Sequence, residues 1–184
     1  EHDLKESDFP EFSVISYNSV ISKLKNKKTK KISSEILDSY KENDILLLGD
    51  FNSCLVASEI YLENNDFNPI NFISSDGQNM NGIYPAQISD LQLLRQRGLK
   101  NIFLCLSDYK QSKEILDEVE SLNFNFQSCI SQKSSVSNSS KIGKCALIQG
   151  LSLVGPQSII GDFCKILNNV SIAHHCKIGN FVTI

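Results

Sequence analysis

Residues 130–184 read ISQKSSVSNSSKIGKCALIQGLSLVGPQSIIGDFCKILNNVSIAHHCKIGNFVTI, with an aliphatic residue at every sixth position. A second register, four residues after each of these, holds only small or β-branched residues from Ser140 onward. A helix repeats every 3.6 residues and a strand every two, so neither produces this pattern. The strands of an ordinary β-sandwich vary in length and need longer turns. A period of six with two inward-facing positions therefore predicts a parallel β-helix built from hexapeptides.

The two registers define an inside and an outside for every later residue. Glycine often follows a first-register residue, where a tight approach to the corner favours a residue without Cβ; these are Gly143, Gly155, Gly161 and Gly179. The first register comprises Ile130, Val136, Ile142, Ile148, Val154, Ile160, Ile166, Ile172, Ile178 and Ile184. The second comprises Ser140, Ala146, Ser152, Ser158, Cys164, Val170, Cys176 and Val182.

Short apolar runs alternate with amphipathic segments before the repeat, which indicates a parallel, doubly wound sheet. We divide the chain into an N-terminal extension of unassigned role (1–43), an α/β domain (44–130) and a β-helix (131–184). The chain lacks an initiating Met and ends on a first-register residue, so we expect a fragment whose β-helix continues or is capped. The predicted strands are Ile45–Leu48, Ile70–Ile73 and Asn101–Leu106, the predicted helices are Cys54–Leu62, Ser89–Arg97 and Ser112–Leu122, and Phe124–Ile130 leads into the repeat.

Composition excludes several function classes. The net charge of −3 and the lack of a basic patch with interleaved aromatics argue against nucleic-acid binding. The lysine-rich stretch 23–31 could bind a polyanion or a membrane surface, but a solvated loop is the favoured interpretation. No stretch approaches the roughly 20 apolar residues of a membrane span and no signal-peptide pattern opens the chain, so we expect a cytoplasmic protein. The cysteines form no CxxC pair, and Cys54, Cys105, Cys164 and Cys176 lie in apolar segments or in the second register. They are predicted to be packed thiols, not disulfides or zinc ligands.

The loop Gly49-Asp50-Phe51-Asn52-Ser53 follows the first predicted strand. Ligands of doubly wound sheets bind at the carboxyl ends of the strands, and a glycine turn before a helix suits phosphate. A phosphate cradle needs two or three glycines, however, and Phe51 and Asn52 occupy those places while Asp50 would repel a phosphate. Two interpretations stay open, a nucleotide-binding loop and a structural turn.

His174 and His175 stand at positions three and four of their hexapeptide. If positions one and five face inward, both histidines lie at a corner and face outward, which excludes a core histidine. An outward imidazole suits a general base because it takes up a proton near neutrality, and a rigid corner would hold it in place. The alternative is a solvated residue or one packed at a subunit contact. A metal site is disfavoured because adjacent histidines rarely converge on one metal and no third ligand is near in sequence.

Four segments of the repeat match a known family: Ile142–Lys144, Ile160–Phe163, Ile166–Asn169 and Ile172–Val182. With the order of elements before the repeat, they resemble the sugar acyltransferases of the sialic acid O-acetyltransferase and UDP-amino-sugar N-acetyltransferase type, over roughly residues 44–184. The family motif is an acidic residue, His, an acidic residue, Cys, a variable residue and Ile-Gly. The resemblance implies a small Rossmann-like parallel α/β domain followed by a left-handed parallel β-helix of hexapeptide repeats.

The resemblance implies acyl transfer from acetyl-CoA, as co-substrate, to a hydroxyl or amine of a sugar or nucleotide-sugar in polysaccharide biosynthesis. It implies a homotrimer with active sites between neighbouring β-helices and no metal. His174 corresponds to the family's general base, and His175 and Asn168 are candidate assisting or substrate-contacting residues. Candidate nucleotide- or sugar-binding residues are Gly49, Asp50, Asn52, Ser74, Ser75 and Asp76.

The chain departs from the family pattern at its most functional positions. Ala173 and His175 replace acidic residues, so the carboxylate that would hold and polarise the imidazole is missing locally. Ser74 and Ser75 replace an acidic pair, with Asp76 one step later. These departures motivate a second hypothesis, a non-catalytic β-helix scaffold or binding protein derived from the family. A third, a fatty-acyl transferase of lipid A assembly, fits the repeat but fits the α/β order less well.

Overall fold

The computed structural model describes residues 40–75, 78, 80, 82–106 and 109–184. Residues 1–39 of the predicted N-terminal extension lie outside the described residues, and so does the candidate site residue Asp76. The α/β part contains strands β1 (Asp44–Gly49), β2 (Asn68–Ser74), β3 (Tyr84–Pro85), β4 (Asn101–Cys105) and β5 (Asn125–Phe126), helices α1 (Phe51–Asn64), α2 (Leu91–Gln96) and α3 (Tyr109–Ser121), and a 3-10 turn at Ile88–Asp90.

The five strands form one parallel sheet in the order β3-β2-β1-β4-β5. Its faces are both covered, because successive side chains of a strand point to opposite sides. Ile45 and Leu47 pack with α1, while Leu46 and Leu48 pack with α2 and α3. The structure therefore confirms the parallel sheet with a helix layer on each face.

Several details differ from the expectation; helix α3, for example, begins at Tyr109 and not at Ser112. Helix α1 begins at Phe51, three residues before the predicted start, because the Asp50 carboxylate caps it by accepting from the Ser53 N–H at 2.9 Å. The predicted helix at Ser89–Arg97 opens as the 3-10 turn. Strand β3 escaped prediction because it has two residues and one is proline, which gives no period to detect.

The hexapeptide region forms a three-sided parallel β-helix. Its sheets have the orders β12-β9-β6, β13-β10-β7 and β14-β11-β8, consistent with a left-handed β-helix. Cys129 pairs with Leu147, so one coil takes 18 residues and each side takes six. The strands are β6 (Cys129–Ile130), β7 (Ser135–Val136), β8 (Lys141–Ile142), β9 (Leu147–Ile148), β10 (Leu153–Val154), β11 (Ile159–Ile160), β12 (Lys165–Ile166), β13 (Ser171–Ile172) and β14 (Lys177–Ile178).

Both registers face inward, as predicted. The central first-register residues Ile148, Val154, Ile160, Ile166 and Ile172 are buried and form one cluster with residues of the second register. Tight approach also explains three of the four glycines, because a Cβ at Gly143, Gly155 or Gly161 would lie under 3.0 Å from the backbone of the next coil. Gly179 has no such neighbour within 4 Å.

The second register also joins the coils through side-chain hydrogen bonds. Ser152 Oγ donates to the Leu167 carbonyl at 2.6 Å and accepts from the Val170 N–H at 3.3 Å. Ser158 makes the same pair of contacts with the next corner. Buried polar groups are almost always hydrogen-bonded. Each serine hydroxyl meets this need and also gives hydrogen-bond partners to one carbonyl and one N–H in a turn of the following coil.

The cysteines are packed thiols, as predicted. All six are free, and Cys54, Cys105 and Cys164 are buried. Burial raises the pKa of Cys105 to about 11, so its thiol stays protonated at neutral pH. Among the described residues, no helix has the length and apolar character needed to cross a membrane.

One sheet of the β-helix packs against the α/β part. The outward positions of β6, β9 and β12 are Cys129, Leu147 and Lys165, and the first two join the apolar cluster around α1. Lys165, only 9% exposed, extends its ammonium to the Asp50 carboxylate at 2.8 Å and to Ser53 Oγ at 3.1 Å. The third coil is therefore joined to the N-terminus of α1 by an ion pair.

The ion pair shifts both partners toward their charged forms. Burial by itself would raise the pKa of Asp50, but hydrogen bonds from Lys165 and Ser53 outweigh it, and the net pKa is lowered. Burial would lower the pKa of Lys165, yet Cys105 and Asp50 hold it above its usual value. The contribution of the pair is therefore present above the usual aspartate pKa and is lost as pH falls through the lower folded value. At the alkaline end it is lost as pH rises through the raised lysine pKa.

Replacing Lys165 by Met is expected to lower the free energy of unfolding by about 2 kcal/mol, because the Asp50 carboxylate loses its cation. A double-mutant cycle with Asp50→Asn should give a coupling of about 1–2 kcal/mol that begins to shrink below about pH 4. The exposed pair Lys133–Glu63, 2.9 Å apart, is the control and should couple by at most about 0.5 kcal/mol. Equal coupling energies in the two cycles would contradict a stabilising role for the Lys165–Asp50 ion pair.

Candidate functional site

His174 and His175 lie at the corner between β13 and β14, and both side chains are exposed. The prediction that they face outward is confirmed. His175 has φ 61°, in the left-handed region, and the same conformation recurs at every sixth residue from Cys145 to Phe181. The other corner residues with it are Cys145, Leu151, Gln157, Phe163, Asn169 and Phe181, with φ between 53° and 62°.

The coil below fixes the backbone of this corner. A Cβ at Gly155 would lie 2.7 Å from the His174 nitrogen, so glycine lets the two turns stack closely. The His175 N–H donates to the Pro156 carbonyl at 3.0 Å. Ser158 Oγ donates to the Ala173 carbonyl at 2.8 Å and accepts from the Cys176 N–H at 3.2 Å. Hydrogen bonds on both sides thus hold the two histidines.

The two imidazoles contact each other. Their Nδ1 atoms are 2.8 Å apart, and the rings are perpendicular with centroids 5.0 Å apart. At this distance one Nδ1 donates a hydrogen bond and the other accepts it. His175 thus places a second imidazole beside that of His174.

The histidine corner lies on the far side of the β-helix from the chain's own α/β part. The α/β part packs on the sheet β12-β9-β6, whereas the corner joins the other two sheets. In a three-sided prism this corner is the edge opposite the packed side. A group held at the α/β sheet of the same chain therefore does not face His174.

Asn168 occupies a different corner, between β12 and β13. It lines a cavity of about 200 Å³ between α1 and the β-helix, together with Glu59, Glu63, Lys133 and Gln149. Within one chain, the structure does not bring Asn168 to the histidines. Its assisting role stays a prediction.

The loop from Gly49 to Ser53 has clear structural roles. A Cβ at Gly49 would overlap the Cys105 carbonyl oxygen, so glycine is required for the close approach of β1 and β4. Asp50 caps α1 and pairs with Lys165. Asn52 is exposed in the first turn of the helix. These contacts favour the structural turn over the phosphate cradle, because the crevice between β1 and β4, where such sheets hold phosphate, contains the Lys165–Asp50 pair.

Ser74 and Ser75 lie at the carboxyl edge of the sheet beside Gly49. Gly49 is the register partner of Ser74, and the Ser75 N–H donates to the Gly49 carbonyl at 3.0 Å. Ser74 also lines the larger cavity, of about 810 Å³, which lies beyond β2 and β3. That volume is in the range of small-molecule sites.

Sequence reasoning missed the other polar residues of the large cavity. Gln87, Ser89 and Asp90 follow β3 and line the cavity with Ser74 and Gln78. Asp90 accepts from the Gln87 N–H at 2.9 Å, which closes the 3-10 turn. A capping pair of this kind is visible in the sequence only once β3 is known to precede it. Among the described residues, no group of three or more His, Cys, Asp or Glu could hold a metal ion.

Replacing Ser158 by Ala is expected to lower the free energy of unfolding by about 1 kcal/mol, since the Ala173 carbonyl and the Cys176 N–H lose their part-buried hydrogen bonds to the hydroxyl. The matched control is Ser152→Ala, which removes the same two types of contact from the corner at Leu167 and Val170. Chemical denaturation should show similar losses for both variants. Only Ser158→Ala should shift the imidazole NMR signals of His174 and His175; shifts of equal size in both variants would contradict this role.

Comparison with known proteins gives structural neighbours only. No family model and no curated protein matches the chain. A histidine-to-alanine variant of the GDP-perosamine N-acetyltransferase of Caulobacter crescentus, in complex with CoA and GDP-perosamine, has a TM-score of 0.70 at 18% identity, covering 79% of this chain and 70% of that chain. The acetyltransferase domain of PglB from Neisseria gonorrhoeae, in complex with acetyl coenzyme A, has a TM-score of 0.68 at 18% identity, covering 78% and 70%. The neighbours are sugar acetyltransferases, and this chain has their fold.

Proposed function

We propose that the protein transfers an acetyl group from acetyl-CoA to the amine of a nucleotide-linked sugar, with His174 as general base. The observation that carries the proposal is the exposed imidazole of His174, held at a rigid corner of a β-helix that sugar acetyltransferases share. The neighbours were solved with CoA, acetyl coenzyme A or GDP-perosamine, which supports a CoA thioester as donor and an amino sugar as acceptor.

The chemistry needs one group that takes and returns a proton. His174 Nε2 would accept a proton from the sugar amine as the amine nitrogen attacks the thioester carbonyl. The new bond is carbon–nitrogen, the broken bond is carbon–sulfur, and the imidazolium of His174 returns the proton to the leaving thiolate. A positioned general base of this kind contributes roughly 10²–10⁴-fold to the rate.

The large cavity suits the uncharged part of the acceptor. Among the described residues, its polar lining consists of hydroxyl and amide groups and the Asp90 carboxylate and includes no basic side chain. Such groups match sugar hydroxyls or a nucleobase better than a diphosphate. We therefore propose that the α/β sheet is a Rossmann-like acceptor-binding domain, with Ser74 and Ser75 as its contacts and without phosphate binding at Gly49 and Asp50.

We propose a homotrimer with its sites between subunits. The histidine corner is the edge opposite the chain's own α/β part. A sugar that is bound at the α/β part of one chain can therefore reach only the His174 of a second copy. The β-helix also exposes apolar side chains, which are typical of subunit contacts. They are Leu151, Leu153, Ile159 and Leu167, with exposures from 39% to 72%.

The left-handed sense of the β-helix and a cytoplasmic location also stay predictions.

A non-catalytic binding protein is the second candidate function. Ala173 and His175 remove the carboxylates that would hold the base, and this observation favours it. Isothermal titration calorimetry with CoA and an amino-sugar nucleotide separates the two candidates when it is combined with a turnover assay. Binding without turnover supports the second candidate.

Replacing His174 by Ala is expected to lower kcat by about 100-fold or more, with little change in the KM for acetyl-CoA, because the proton acceptor is lost. Thiol release from acetyl-CoA measures the rate over a panel of amino-sugar nucleotides. The matched control is Asn138→Ala, an exposed residue at the same hexapeptide position and the same corner, two coils earlier. Its rate should equal that of the wild type. Full turnover in His174→Ala would contradict the assignment of the base.

Light scattering coupled to size exclusion should give three times the chain mass of 20.6 kDa. Leu153→Asp is expected to shift the mass toward that of one chain, because it places a charge on the apolar face of the β-helix. Leu93→Asp is the control, since Leu93 is 39% exposed on α2, away from the β-helix. Wild-type protein of single-chain mass at micromolar concentration would contradict the trimer.

A further inference from the structure

The contact between His174 and His175 has a direction, and the direction decides which nitrogen of His174 is free. Each neutral imidazole has one N–H and one lone pair. If His174 donates from Nδ1, its Nε2 keeps a lone pair and faces outward as a base. If His175 donates instead, the neutral His174 carries its proton on Nε2 and cannot accept another there. The 2.8 Å separation of the two Nδ1 atoms is compatible with either arrangement.

The side chains do not meet through burial, because both are exposed. The backbone brings them together. The His175 N–H is bound to Pro156, and its φ of 61° sets the direction of its side chain relative to that of His174. Close stacking over Gly155 fixes the His174 backbone as well. The corner therefore presents two imidazoles whose Nδ1 atoms are already in hydrogen-bonding range.

We propose that His175 is a positioning residue: its Nδ1 accepts the Nδ1–H of His174 and so keeps Nε2 of His174 unprotonated toward the acceptor. The inference rests on the proposed function, in which Nε2 is the basic atom. When His174 takes the acceptor proton, its Nδ1–H becomes a stronger donor, and the contact with His175 becomes a charge-assisted hydrogen bond. His175 thereby supplies the acceptor that the missing carboxylate would have supplied.

A conformational explanation of His175 is insufficient. Histidine is enriched among residues with left-handed backbone, so the corner itself could favour it. The equivalent corners, however, carry Leu151, Gln157, Phe163 and Asn169 in the same conformation. The backbone therefore accepts side chains of very different chemistry, and the conformation alone does not account for a polar ring nitrogen that faces Nδ1 of His174.

The chain itself supplies matched variants. His175→Asn places an amide oxygen at the branch position of Nδ1 and has a precedent at Asn169. His175→Phe keeps a ring without a polar atom and has precedents at Phe163 and Phe181. The two variants keep corner residues that the fold already uses, so loss of folding is not the expected outcome. They differ in whether an acceptor faces His174.

Long-range proton–nitrogen NMR correlation on histidine-labelled protein, at a pH where both rings are neutral, reads the tautomer directly. We expect His174 to carry its proton on Nδ1 in the wild type and in His175→Asn. In His175→Phe, the proton should shift to Nε2. A proton on Nε2 of His174 in the wild type, or no change in His175→Phe, would overturn the proposal. The spectra need no acetyl-CoA, so they decide the tautomer even if the proposed function fails.

Turnover then tests the consequence. His175→Phe should lower kcat by about 10-fold or more with little change in KM, because the interaction matters most when His174 becomes charged. His175→Asn should recover most of the rate. Equal rates in His175→Phe and the wild type would overturn the positioning role. An inactive wild type would refute the proposed function and leave the tautomer result standing.

Discussion

Each coil of the β-helix closes in 18 residues, and this closure sets which side chains form the core, which lie at corners and which face outward. Three sides of six residues meet at corners, and from Cys145 onward the fourth residue of each hexapeptide has a left-handed backbone, which costs roughly 1–2 kcal/mol per residue. The cost is offset because every coil stacks on the next through parallel ladders, inward aliphatic residues and serine hydroxyls such as Ser152 and Ser158. No β-branched residue occupies the left-handed position.

Because each coil has three sides, the surface that packs on the α/β part and the exposed histidines lie on different parts of the β-helix. One side is used to pack against the α/β part, and there Lys165 reaches the capping carboxylate of α1. The opposite edge carries His174 and His175, away from the cavity that we propose holds the acceptor. If both belong to one site, that site forms only when copies of the chain assemble. The proposed trimer is supported by this geometry and by the exposed apolar side chains.

Much of this arrangement could be predicted from the sequence. The period of six is strict enough to assign inside and outside, and it placed His174 at an exposed corner and Cys164 in the core. The Lys165–Asp50 pair could not be predicted, because its partners are 115 residues apart in sequence and Lys165 stands at an outward position. The left-handed backbone at the corners could not be predicted either, since Leu151, Phe163 and Asn169 share no property beyond the lack of β-branching. Strand β3 and the cavity residues after it show no periodic hydrophobic pattern from which they could be predicted.

The proposed function brings the imidazole of His174, at a corner of the β-helix, against an acceptor held by another copy of the chain. A crystal structure of the protein with CoA and an amino-sugar nucleotide would show whether the two meet. We expect the sugar amine at about 3 Å from His174 Nε2, with the nucleotide in the α/β cavity of a neighbouring subunit. Ligands bound together elsewhere, with His174 open to solvent, would contradict it.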